Sequence, residues 1–276
     1  MIGNNQAGAW LLPIVLCINQ GVGRMPKKIW ALLFLLTTAM PIVARADYDL
    51  ETDTSDPLFL LHDDSILSES MVSYGHEYEH DILRFGQAFS YGLNDRLSIG
   101  ANAHYQIDFT GTQDGFSSVD VGGIYRMARA GDNDARIISD ALFGFRFGGS
   151  ERVRTPNFAN SSYYAGLRFG RQWAGVTLAA TIKSTWVFDD MRGMSFIDFA
   201  PQAYFRLDPN WRSGAGFTFR KATNLVCEDG RCYNYNQEWL NLKLVAQFGR
   251  TQYIGHFDYE FENDEAQVGV KVNVLF

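Results

Sequence analysis

From about residue 71 to residue 276, apolar and polar side chains alternate with a period of two. The run 97–109 is the plainest: Leu97, Ile99, Ala101, Ala103, Tyr105, Ile107 and Phe109 fall on one face, and Ser98, Gly100, Asn102, His104, Gln106 and Asp108 on the other. Successive side chains of a strand point to opposite faces, so this run predicts a long strand with one apolar and one polar surface. The alternation recurs at 83–93, 119–127, 141–147, 165–169, 176–188, 197–207, 211–219, 240–248, 253–261 and 268–276. That gives eleven strands, and a less regular stretch near 70–80 (Val72, Tyr74, Tyr78) makes twelve.

The connections alternate in character. Tight polar turns fall at Asn94-Asp95, 130–134, 171–174, Asp208-Pro209-Asn210 and 249–252, and mostly longer ones at 111–116, 148–161, 189–194, 221–236 and 262–265. An antiparallel meander with short turns at one end and longer loops at the other is the pattern of a membrane barrel. In hydrocarbon every backbone N–H and C=O must be paired, so a spanning sheet has to close on itself. Strands of about 9–11 residues suffice to cross, whereas strands of soluble sandwiches average about 5–6. Aromatics gather toward the strand ends (Tyr105, Phe109, Trp186, Phe188, Trp211, Tyr253), as in interfacial girdles. The expected fold is all-β: a closed antiparallel up-and-down transmembrane barrel of ten to twelve strands, twelve by the count. The competing soluble barrel or sandwich would bury the same apolar face.

The only long apolar run lies near the N-terminus. Met25-Pro26-Lys27-Lys28, the apolar stretch Ile29–Leu36 and Ala44-Arg45-Ala46 together read as a secretory signal peptide with an effective start at Met25. The predicted organisation is a leader over 1–46, an acidic periplasmic segment over 47–69 and the barrel over 70–276. The leader holds Arg24, Lys27, Lys28 and Arg45 and no acid, so 47–276 carries 20 basic against 31 acidic residues, a net charge of −11. This balance excludes a general nucleic-acid binder. Much of the excess lies in 47–69, with Asp47, Asp49, Glu51, Asp53, Asp56, Asp63, Asp64 and Glu69 and no Lys or Arg. Such a run reads as a solvated tail, the alternative being a plug folded into a basic lumen. Cys227 and Cys232, in Cys-Glu-Asp-Gly-Arg-Cys, read in an exported chain as a small loop closed by a disulfide.

The last strand, Val268-x-Val270-x-Val272-x-Val274-x-Phe276, ends on an aromatic carboxylate. It resembles the signal by which bacterial outer-membrane barrels are recognised by their assembly machinery, the residues concerned being Val270, Val272, Val274 and Phe276. With the signal peptide and the meander, the chain resembles a small, porin-like bacterial outer-membrane β-barrel over roughly 70–276. The resemblance implies an integral outer-membrane location, with membrane lipid, lipopolysaccharide and the barrel-assembly machinery as partners. It implies no cofactor and no substrate.

Parity assigns the charged residues opposite the apolar face to the lumen. The expected pore-lining set is Arg84, His104, Asp108, Asp120, Arg126, Asp140, Arg146, Arg168, Lys183, Asp198, Arg206, Arg212, Arg220, Lys243, His256, Asp258, Glu260 and Lys271. Twelve strands lie between barrels filled by side chains and barrels with a wide channel, so a narrow pore or ligand cavity is expected. Rings of Arg and Lys favour anions, whereas paired charges plug the lumen. In outline this resembles twelve-stranded channels for acidic oligosaccharides, an analogy of fold alone. The expected activity is that of a narrow, mildly anion-preferring channel or a binder for small solutes, anionic ones included. The alternatives are a structural or adhesive barrel acting through loops 148–161 and 221–236, or an outer-membrane lipid-modifying enzyme. His76-Glu77-Tyr78-Glu79-His80 fits the zinc-protease pattern, but that chemistry needs both His on one helical face, and this stretch lies beside strand-like alternation. No catalytic residue and no metal ligand is assigned.

Overall fold

The computed structural model describes residues 52–77, 80–111, 114–132, 135–149, 161–187, 195–223, 226–228, 231–233 and 236–276. The leader reading, with Met25 and the cleavage signature, lies outside them, as do most of the loops 148–161 and 189–194. The strands are β1 (Ile66–Glu77), β2 (His80–Asn94), β3 (Leu97–Asp108), β4 (Gly115–Asp132), β5 (Ala135–Gly148), β6 (Ser162–Trp173), β7 (Val176–Val187), β8 (Ser195–Arg206), β9 (Trp211–Ala222), β10 (Val226–Glu228), β11 (Arg231–Tyr233), β12 (Asn236–Phe248), β13 (Thr251–Glu260) and β14 (Glu265–Leu275). Twelve of them form one closed antiparallel barrel. β10 and β11 form a separate two-stranded ribbon in the β9–β12 connection. The barrel closes where β1 pairs with β14, from Leu67 opposite Leu275 to His76 opposite Ala266. The ends are sewn by Phe276 N donating to Ile66 O (2.8 Å).

The turns at the end that carries both strand termini are short because Asx side chains replace backbone partners. Asn94 Oδ1 accepts from the Arg96 and Leu97 amides (2.9 and 3.0 Å), and Asp208 Oδ1 accepts from those of Asn210 and Trp211 (2.7 and 2.8 Å). Two irregularities interrupt the β4 ladders, between His104 and Tyr105 on its β3 side and between Arg126 and Ala128 on its β5 side. Each lets β4 bend while its other residues keep their faces.

The exterior is apolar. Phe85, Phe89, Ile99, Val121, Phe143, Leu167, Ile182, Phe199, Leu244, Val268 and Val270 are all exposed. Tyr105 and Phe116 meet edge to face, and Tyr163 stacks on Trp186 at 4.8 Å, near the long-loop end; Phe248 and Tyr253 pair at the other. A 12-residue strand is about 40 Å long at ~3.3 Å per residue, enough to span a bilayer core at a tilt of about 45°.

The acidic N-terminal segment corrects the sequence expectation. β1 begins at Ile66, not near 70, and residues 52–61 before it do not form a solvated tail. Asp53, Ser55, Asp56, Leu58, Leu60 and Leu61 are buried. Leu58 packs with Ile138 and Ala179, and Leu61 with Leu67 and Leu275. Segment 52–61 thus lies across the lumen at the terminal end. Its exit is clamped by Asp64 N donating to Gly92 O (3.0 Å) and Gly92 N donating to Ser65 O (2.9 Å). A Cβ at position 92 would sit 1.7 Å from the His62 carbonyl oxygen, so only glycine admits this approach. Gly92→Ala is expected to cost about 1–3 kcal/mol, as overpacking does, and to speed amide exchange at Asp64 and Gly92 while central β2 amides stay protected.

Candidate functional site: a charged lumen closed at one end

The predicted inward residues face the interior but fall into two zones. In the first, the wall residues grip segment 52–61. Arg206 Nε donates to Asp53 Oδ2 (3.1 Å) and its Nη2 to Asp56 Oδ2. Arg212 Nε donates to Asp53 Oδ2 (3.3 Å), and Lys243 Nζ to Ser55 O (2.5 Å). Arg126 and Arg168 donate to the carbonyls of Leu58 (2.6 Å) and Phe59 (2.9 Å), and both pair with Asp140. Thr177 Oγ1 donates to Asp56 Oδ2 (2.6 Å). Arg126, Asp140, Arg206 and Arg212, expected to line an open pore, are therefore buried beneath the segment, with Arg168 and Lys243 bonded to it. Charge neutralisation decides this, because an unpaired buried carboxylate or guanidinium would cost several kcal/mol.

The second zone is a cavity of about 750 Å³. Arg84, Arg146, Lys183 and Arg220 line it, with Glu69, Asp120, Asp198, Asp258, Glu260 and Glu265. Most of these charges are matched by strand register. Arg146 Nε meets Asp120 Oδ1 at 2.6 Å across the β4–β5 pair, and Asp198 takes both Arg220 (2.7 Å) and Lys183 (3.4 Å) from its flanking strands. Asn241 Nδ2 donates to Asp258 Oδ1 (2.7 Å), and Lys271 holds Glu69 at 2.8 Å. His104 and His256 also face inward: side chains at Gly86 and Gly269 would collide with them.

Two members of the expected set do other work. Asp108 has no exposed side-chain surface and pairs with His80 Nδ1 at 2.9 Å. It also accepts from the Thr110 and Gly111 amides (3.0 Å each), capping the β3–β4 loop. Glu260 caps the β13–β14 turn through the amides of Glu262 and Asn263.

Sequence reasoning did not name the aromatic part of the cavity wall, Tyr164, Phe196 and Trp239. Arg220 lies 5.1 Å from the centre of the Phe196 ring and 5.3 Å from that of Trp239, and Lys183 lies 5.6 Å from that of Tyr164. Parity marks positions 164 and 239 as inward, which was the available signal. The Tyr164 ring occupies space that a Cβ at Gly144 would enter at 2.4 Å.

The zinc-protease pattern straddles a hairpin. His76 lies one residue before the end of β1 and meets Asp81 at 3.0 Å on an exposed surface, whereas His80 opens β2 and meets buried Asp108. No group of three His, Cys, Asp or Glu could hold a metal among the described residues. Cys227 and Cys232 stand directly opposite each other in the β10–β11 ribbon; their side chains lie outside the described residues.

A closed twelve-stranded sheet with an apolar exterior and a charged interior is a membrane-spanning β-barrel, with a cavity above an internal plug. Solved structures of the same architecture agree. An outer membrane channel from Pseudomonas putida F1 superposes with a TM-score of 0.59 at 11% identity, over 81% of this chain and 99% of that one. The NanC porin gives 0.52 at 11% identity, over 75% and 98%. The KdgM porin in complex with disordered oligogalacturonate gives 0.51 at 10%, again over 75% and 98%. At these identities the likeness is one of fold. No family model matches the sequence, and no curated protein matches it.

Proposed function

We propose that the protein is an outer-membrane channel that admits small acidic solutes into a charged lumen. One observation carries the channel, a cavity inside a closed membrane-spanning wall. Its lining mixes Arg84, Arg146, Lys183 and Arg220 with six carboxylates, and the anionic part of the reading rests on Lys183 and Arg220 lying beside the Tyr164, Phe196 and Trp239 rings. Guanidinium and ammonium groups with aromatic faces beside them suit carboxylated solutes, and charged rings set the selectivity of pores. The channel and porin folds above support this reading, and the oligogalacturonate of the KdgM complex is an acidic solute. The same proposal includes export through the 1–46 signal peptide and assembly through Val270, Val272, Val274 and Phe276. It includes contact with lipopolysaccharide, and a Cys227–Cys232 disulfide, which directly opposed positions favour.

Refolded protein in a planar bilayer is expected to show discrete conductance steps with anion preference. Because segment 52–61 closes one end, no steps from a heat-modifiable, folded barrel either with or without residues 52–61 would refute the channel, and cation preference its anionic form. Asp198 offers a sharper test, because one carboxylate neutralises both Lys183 and Arg220. Asp198→Asn removes one negative charge and leaves both cations, so the reversal potential in a KCl gradient is expected to move toward that of chloride.

A further inference from the structure

Segment 52–61 is attached to the barrel in the manner of a ligand. Its own backbone hydrogen bonds are local, with Asp56 N donating to Asp53 O and Phe59 N to Asp56 O (3.0 Å each). The Asp53 carboxylate has five donor groups within hydrogen-bond distance. Oδ1 faces Tyr204 OH (2.7 Å), Gln252 Nε2 (3.1 Å) and Ser55 Oγ (3.1 Å), and Oδ2 faces Arg206 Nε (3.1 Å) and Arg212 Nε (3.3 Å); Ser55 Oγ and Tyr204 OH also bond each other (2.6 Å), so the two hydroxyls share their two protons over three contacts. Four of these donors belong to the wall, on β8, β9 and β13, and all four are buried.

The wall donors are also held in place without the segment. Arg206 Nη1 donates to Trp173 O (3.1 Å) and Thr177 Oγ1 (3.3 Å). Arg212 Nη1 donates to Pro209 O (3.1 Å), and Gln252 Nε2 to Gln247 Oε1 (2.8 Å). The Tyr204 ring packs with Val245 and Ile254. Rigid elements thus hold a preorganised set of donors, two of them guanidiniums, around one carboxylate position.

We infer that Tyr204, Arg206, Arg212 and Gln252 form a carboxylate-binding site at the terminal end of the lumen, that Asp53 fills it as an internal ligand, and that free carboxylates compete with segment 52–61 to open the barrel. The inference rests on the channel reading and adds its regulation. A displaced segment stays tethered at Ile66, so reclosure is intramolecular and favoured by a high effective concentration.

The test compares the full chain, a variant lacking residues 52–61, and full-length Asp53→Asn/Asp56→Asn. Deletion is expected to raise conductance several-fold, and the double substitution to raise it partway. A synthetic peptide of residues 52–61 should bind the deletion variant, by fluorescence anisotropy, and restore the block. The same peptide with both Asp as Asn should do neither. Succinate at ten times its own Kd should raise the half-blocking peptide concentration about tenfold by mass action, and choline should leave it unchanged.

A control uses Leu58→Cys/Ala179→Cys in a Cys227→Ser/Cys232→Ser background, pinning the segment to β7. It should stay at low conductance with succinate until reduced. Equal conductance of the full chain and the deletion variant would overturn the plug and leave the channel intact. Block by the Asn peptide, or indifference to succinate, would overturn the carboxylate site. If no variant conducts yet the peptide binds, the channel reading fails while the site stands. If the deletion variant does not fold, the double substitution and the reducible pair decide, and unchanged conductance in both refutes the proposal.

Discussion

Arg206→Ala should release the N-terminal segment while leaving the barrel closed. Arg206 is fully buried, and its guanidinium pairs with both Asp53 and Asp56. Alanine would leave Asp56 without its cation, and Asp53 with Arg212 alone, in a site that excludes water. Removing one partner of a buried pair costs roughly 3–5 kcal/mol, mostly the penalty of the charge left behind. The segment can avoid that cost by leaving, because no strand ladder binds it to the wall. The loss is therefore expected to be local. Hydrogen exchange should accelerate at the Asp56, Leu58 and Phe59 amides by a factor of about 100–5,000, which is that energy expressed as an opening constant. Central amides of β7 and β8 should keep their protection. Uniform loss of protection across the barrel would show that the segment is structural. A cycle with Asp56→Ala should be strongly non-additive, because the two residues share one interaction.

The strands, the order of short and long connections and the facing of most residues were legible in the sequence, for one physical reason. A wall between lipid and a polar lumen imposes period two on every spanning strand, so 97–109 could be read residue by residue. The context also disposed of the zinc-protease pattern, because residues four apart in chain number on a hairpin do not share a helical face.

The plug was harder to read. Acidic residues in 47–69 suggested solvation, yet Pro57 is followed by Leu58-Phe59-Leu60-Leu61, an apolar run that a solvated tail does not need. Its partners were hidden because Ile138, Ala179 and Tyr204, inward positions on the wall, are apolar or aromatic, and they blur the alternation where the segment packs. Which carboxylate meets which guanidinium depends on how far neighbouring strands are staggered. Asp198 faces Lys183 on one side and Arg220 on the other only because the β7–β8 and β8–β9 registers bring them level. Sequence parity gives the face of a residue and not its height in the barrel.

The lipid-facing assignment carries the second large effect. Leu167 lies near the middle of β6, opposite Ala141 and Ile182, and is 49% exposed on the outer wall. If that wall faces acyl chains, Leu167→Arg must place a guanidinium in hydrocarbon, at about 2–4 kcal/mol near the bilayer midplane. Reversible urea titration of the barrel in lipid vesicles should show that loss as a lower midpoint at unchanged slope. Lys183→Gln, on the lumen side of adjacent β7, should change the midpoint far less, because water in the cavity solvates either side chain. The same pair in detergent should differ less, since a micelle deforms around a charge more readily than a bilayer. Equal tolerance at both positions in vesicles would mean that Leu167 does not face lipid, and the assignment of faces would have to be inverted along with the lumen built on it.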